Sequence, residues 1–170
     1  MRKLSIWNVL LFFIIIFYIY FLVSQILFKY ISPFEIFNQS RYFSRSLNLI
    51  PFNDLFRGVI NKLDLYGNII IFFPFGILFN IIKEHSFFKN IFAFSITSLI
   101  FEILQYILAI GSSDITDIIL NTLGGVLGLM FYNVLKMILK KEIADKIIIV
   151  LATILMIFVI TILILIKIYN

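Results

Sequence analysis

The sequence predicts an all-α fold, a polytopic transmembrane helix bundle of about five spanning helices. Three observations carry that expectation. Hydrophobic residues make up 62% of the 170-residue chain. Only 14% of its residues are charged, against about a quarter in soluble domains. The apolar residues fall in five runs, each close to the ~20 residues that a helix needs to cross the hydrocarbon core. A soluble chain this short keeps much of its surface wet, so it could not hide this much Ile, Leu and Phe.

The first run reaches from Ile6 to Phe28 and is broken by Asn8, Ser24 and Gln25. Arg2 and Lys3 precede it, as in a signal peptide. Its apolar stretch is too long for a signal h-region, and no A-x-A site follows, so residues 1–28 read as a retained anchor. Residues 29–65 are more polar, with Pro33, Pro51 and five basic residues, and read as an outer loop. Within them Leu47 to Phe56 is apolar but short, which suits an interfacial or re-entrant segment.

Residues 66–139 form a three-helix core. Its spans run from Tyr66 to Ile82, from Ile91 to Ile110 and from Asp114 to Leu139, with Gly111-Ser112-Ser113 as a short turn. Pro74 removes the bond to the carbonyl of Ile70 and predicts a kink. Residues 140–170 hold a cytoplasmic loop and the fifth span, Ile147 to Ile166, which carries no ionisable group.

Placement of Lys and Arg orients the bundle. Lys136, Lys140, Lys141 and Lys146 crowd one connection, whereas the turn at Gly111 to Ser113 has no positive charge. The turn is therefore expected outside and the N-terminus inside. With no Cys and a single His, His85, disulfides, a thiol nucleophile and a multi-His metal site are excluded. No motif calls for a cofactor. The net charge of +5 is scattered over loops and ends, which suits a membrane surface and offers no face for nucleic acid.

Polar residues inside the spans gather toward one end. They are Asn68 in the second span, Glu102 and Gln105 in the third, and Asp114, Asp117 and Asn121 in the fourth. Residues 102 and 105 share a helix face, as do 114, 117 and 121. A rise of about 1.5 Å per residue puts Glu102 and Asn121 at similar depth on antiparallel neighbours. A carboxylate inside a span costs a few kcal/mol or more and is expected to face the bundle interior or a wet cavity. Partners for Glu102 would be Gln105, Asn121, water, or a loop residue such as Arg45 or Arg57. Plainer readings stand beside this one. Asp114 and Asp117 suit a helix N-terminus. Asn121 with Gly124, Gly125 and Gly128 suits a face where helices approach closely. Glu102 and Gln105 can act as interhelical glue.

Four segments resemble the VanZ-like family of bacterial membrane proteins. They are NLIPF (Asn48 to Phe52), NIIIFFPFG (Asn68 to Gly76), EILQ (Glu102 to Gln105) and DITDIILNTLGG (Asp114 to Gly125). The resemblance covers roughly residues 45–140. Many members of the family that the chain resembles carry an Arg just before the first Asp of the last motif, where this chain has Gly111, Ser112 and Ser113; if that Arg pairs with the acids, this chain must do without it or use its outer loop. The family name comes from a member linked to resistance to teicoplanin, a glycopeptide that binds cell-wall precursors.

The resemblance implies a multi-pass protein of the bacterial cytoplasmic membrane that influences sensitivity to cell-envelope antibiotics. Its partners would be membrane lipids and a lipid-linked envelope molecule held in an outer-facing polar pocket. Two rivals use the same residues. One is an intramembrane enzyme acting on a lipid-linked phosphate or ester. The other is a structural membrane subunit.

Overall fold

The computed structural model describes residues 5–29, 31–32, 34–35, 38, 44–58 and 62–169. Arg2, Lys3, Pro33 and Arg41 lie outside the described residues. The elements in order are α1 (Ile6–Ile26), β1 (Ser44–Asn48), α2 (Asn53–Phe56), α3 (Lys62–Ile82), α4 (Phe87–Leu108), β2 (Ile110–Asp114), α5 (Ile115–Leu139) and α6 (Lys141–Tyr169). Among the described residues five helices are long and apolar enough to cross a membrane: Ile6–Ile26, Asp64–Ile82, Phe87–Leu108, Ile115–Leu139 and Lys141–Tyr169. The protein is a polytopic helical membrane protein, and its described residues include a small two-stranded sheet.

The chain forms two compact units. One joins Met1–Phe21 with Asn133–Asn170. Here Lys146 Nζ sits 5.7 Å from the centre of the Trp7 ring, a cation–π contact. Ala144, Ile148 and Ile149 are buried near the start of α6. Most of the rest of that helix is exposed Ile, Leu, Val and Phe, which suits lipid.

The other unit is Leu22–Tyr132, and it holds most of the buried polarity. Its core is built by close approach of α3 and α5. A Cβ added to Gly124 would run into the backbone of Ile69, and one added to Gly128 into the carbonyl of Phe73. Gly76 meets the backbone of Gly125 in the same way. Small residues let helices pack this tightly where lipid gives no hydrophobic drive to associate. Phe94 from α4 is fully buried and packs against Gly125, edge-on to Phe75 and Phe79. At the α3–α4 connection, Asn90 donates its side-chain amide to Asn80 Oδ1 (3.1 Å) and to the His85 carbonyl (3.3 Å), while Asn80 donates to the Gly76 carbonyl (3.0 Å). This buried pair stitches the α3–α4 hairpin.

The connection expected to be a short turn at Gly111 to Ser113 is instead a strand. Ala109 adopts a left-handed backbone, φ 50°, and ends α4. The chain then runs back beside α4 as β2, paired in parallel with β1 from Ser44↔Ile110 to Asn48↔Asp114. Glu102 lies six residues before the end of α4, a descent of roughly 9 Å. Five strand residues at ~3.3 Å each cover that distance, so Asp114 returns to the level of Glu102. Non-helical backbone is tolerated at such depth only where protein buries it or a cavity wets it. Ile110, Gly111 and Ser113 are buried, and Ser113 Oγ–H donates to the Glu102 carbonyl at 2.7 Å.

Candidate functional site

The start of α5 is where the site forms. Asp114 is its cap: Oδ1 accepts the Thr116 N–H at 2.7 Å, the usual N-terminal satisfaction of an otherwise orphaned donor. Its Oδ2 accepts from the Asn48 side chain at 2.9 Å. Asn48 Oδ1 accepts the Ile50 N–H and the Asn53 amide, and Thr116 Oγ1 accepts the Phe52 N–H at 3.0 Å. The apolar segment after β1 is thereby fastened to α5. Phe52 needs that support, since its own backbone is left-handed, φ 56°.

Glu102 is 4% exposed. Its Oε2 accepts the backbone N–H of Asp114 at 2.9 Å, so the positive end of the α5 dipole faces this carboxylate. Among the described residues its Oε1 has no hydrogen-bond partner. Asn121 does not pair with Glu102 as its depth suggested. It donates to Ser98 Oγ at 2.9 Å, one turn before Glu102 in α4, because β2 shifts the start of α5 down the bundle. Gln105 donates to the carbonyl of Ile26 at 2.7 Å, closing the last turn of α1. The buried amide of Asn68 lies against Asp117, yet among the described residues its Nδ2 has no acceptor in good geometry.

A cavity of about 120 Å³ opens at this end of the unit, walled by Lys29, Phe52, Asp54, Leu55, Asp64, Leu65, Ser112, Asp114, Thr116 and Asp117. Of the sequence-selected residues, Asp114 and Asp117 reach its wall. Glu102 touches it through the Asp114 backbone, and Asn68 lies behind Asp117. Gln105 and Asn121 are taken up by α1 and Ser98. Among the described residues no group of three His, Cys, Asp or Glu is placed to hold a metal ion.

Among the described residues the basic group of the cavity wall is Lys29, whose Nζ lies 2.7 Å from Asp64 Oδ1. Neither residue stood out in the sequence, although Lys29 directly follows the first span and Asp64 begins the second. Arg45 instead donates to the Ile107 carbonyl at 3.3 Å and lies over the Tyr106 ring. Arg57 is exposed. Ser112 is part of the wall. Asn48 and Thr116 were also missed as site residues; both sit inside motifs, but only the fold reveals that they bond across them.

The VanZ/LLP1 family model matches residues 12–140. The chain belongs to the VanZ/LLP1 family. It is 40% identical over 133 residues to Protein VanZ of Enterococcus faecium, covering 78% of this chain and 79% of that one. The VanZ/LLP1 match begins within α1, so the first span, free of recognisable motifs, is part of the family region. All of α6 lies beyond it. No solved structure matches the chain.

Proposed function

We propose that this VanZ-family protein influences bacterial sensitivity to glycopeptide antibiotics of the teicoplanin type, or to other cell-envelope antibiotics, from the cytoplasmic membrane. The cavity beside Asp117 faces outward in this reading and engages a lipid-linked or envelope molecule. One observation carries it: every residue of the cavity wall lies within the VanZ/LLP1 match. The outward orientation is supported by the Lys cluster from 136 to 146, which favours the opposite side.

Size limits what enters. Sites for drug-sized molecules occupy about 300–1,000 Å³, well above the 120 Å³ here. A whole glycopeptide does not fit; a small polar head does. The structural-subunit rival also has support, because Gln105, Asp114 and Asn121 each make a bond that holds elements together. Asp117 and the unpartnered oxygen of Glu102 are what that rival leaves unexplained.

The test is deletion of the gene followed by a glycopeptide susceptibility panel. Intact gene, Asp117→Asn and Glu102→Gln are then returned in turn. Restoration by the intact gene and by neither variant supports the reading. An unchanged panel after deletion overturns it.

A further inference from the structure

The segment that leads from β1 into α2 pairs an uncovered apolar surface with a satisfied backbone. Leu47, Leu49, Ile50, Leu55 and Phe56 are all exposed, Phe56 at 80%. The backbone, in contrast, is closed on its own chain. The Ile50 N–H donates to Asn48 Oδ1 and the Phe52 N–H to Thr116 Oγ1, while Pro51 has no N–H to satisfy. The N–H groups of Asn53 and Leu55 donate to the Ile50 and Phe52 carbonyls. Those of Arg57 and Gly58 donate to the carbonyls of Asn53 and Leu55. A loop in water does not need such closure, because water takes up open backbone groups. Hydrocarbon offers them no partner.

The position of the segment agrees. Arg45 donates to the Ile107 carbonyl at the end of α4 and lies over the Tyr106 ring, and Tyr is enriched where a membrane meets water. From there β1 runs inward beside β2, and its register sets Asn48 opposite Asp114, at the level of Glu102 within a membrane-spanning helix. Leu49 and Ile50 therefore start below the last turn of α4. Ile103, Tyr106 and Ile107 of that helix are exposed toward lipid, and the apolar surface of the segment continues theirs.

We infer that residues 47–56 form a re-entrant element that dips into the bilayer and holds Leu49, Ile50 and Phe56 against lipid acyl chains. Water or a protein partner can take up open backbone groups and lipid cannot, so the closed backbone is the feature that selects lipid. Phe52 and Leu55 of the same element wall the cavity, which places lipid behind one side of it. This lipid contact holds whether or not the protein affects antibiotics.

The experiment uses tryptophan fluorescence. The chain has a single Trp, Trp7, so Trp7→Phe gives a full-length background in which one new Trp reports alone. Leu49→Trp and Phe56→Trp are the test variants. Phe158→Trp, at an exposed position of α6, serves as the lipid control, and Lys83→Trp, exposed between α3 and α4, as the water control. Each is reconstituted into phosphatidylcholine vesicles. Emission is measured with plain lipid, with lipid whose acyl chains are brominated, and with iodide on both faces of the membrane.

Both test variants should lose emission to brominated lipid, as Phe158→Trp does, and should lose less to iodide than Lys83→Trp does. Should either variant fail to give a sharp melting transition, Ile50→Trp takes its place. Stronger quenching by iodide than by brominated lipid at either position overturns the lipid contact and puts the segment in water. Emission that neither quencher reaches also overturns it, because a protein surface, such as a second copy of the chain, then covers the segment.

Discussion

The side chain of Asn48 donates to Asp114 Oδ2 at 2.9 Å, joining residues 66 positions apart at the mouth of the cavity. Asn48 also accepts from Ile50 and Asn53, so it organises the turn before α2 while anchoring it to α5. Asn48→Ala should therefore lower stability by about 1–3 kcal/mol, the scale of leaving partly buried partners unpaired. Thermal melting in detergent would read this. An unchanged midpoint would mean that the segment is held by lipid and packing instead.

Glu102→Gln and Asp117→Asn are nearly isosteric. Glutamine keeps an oxygen for the Asp114 N–H, and asparagine at 117 still faces the Asn68 amide. Both variants should melt close to wild type and both should lose any tolerance phenotype the intact gene confers. Normal folding with full phenotype would leave helix glue as the role of these residues.

The glycines of α5 predict an order of severity. A methyl at Gly128 meets the Phe73 backbone, and one at Gly124 meets Ile69, whereas at Gly125 the nearest atoms belong to the Phe94 ring, 2.6 Å away. A backbone cannot move aside without parting α3 from α5; a ring can shift. Gly128→Ala and Gly124→Ala should each cost about 1–3 kcal/mol, as overpacking does, and Gly125→Ala should cost less. Melting midpoints of the three variants would settle the order. A milder effect at 128 than at 125 would contradict the close α3–α5 contact.

The expected orientation can be read by labelling, because the chain has no Cys of its own. Ser112 is exposed on the cavity wall and Lys141 is exposed at the start of α6. In intact cells an impermeant thiol reagent should label Ser112→Cys and leave Lys141→Cys untouched. The opposite pattern would turn the cavity to the cytoplasm.

Sequence and structure agree where one physical signal dominates. Long apolar runs announce spans regardless of neighbours, so the five helices were legible, though α3 begins at Lys62 and α6 at Lys141, ahead of the apolar residues. The strand Ile110–Asp114 was not legible. Gly-Ser-Ser carries turn chemistry, and its partner strand, Ser44–Asn48, has no alternating pattern; only the pairing across the fold makes either a strand. That error moved the start of α5, so Asn121 found Ser98 instead of Glu102. Asp114 and Asp117 were found because acids in a span are conspicuous. Lys29 and Asp64 were not, because charges at span ends are ordinary and their meeting depends on how α1 and α3 are placed.

The parallel pairing of β1 with β2 also sets a timetable for biosynthesis. Each residue of β1 meets a partner 66 positions later in the chain, so β1 emerges from the ribosome with nothing to pair with. At ~5–20 residues per second its partner follows roughly 3–13 seconds later. During that interval the translocon must insert α3 and α4 while Leu47, Leu49 and Ile50 wait unanchored. The docking of the Asn48 segment onto α5 is thus a late event, possible only after the third span is in place, and a chain stalled before residue 114 would lack the wall that Asp114, Thr116 and Asp117 supply.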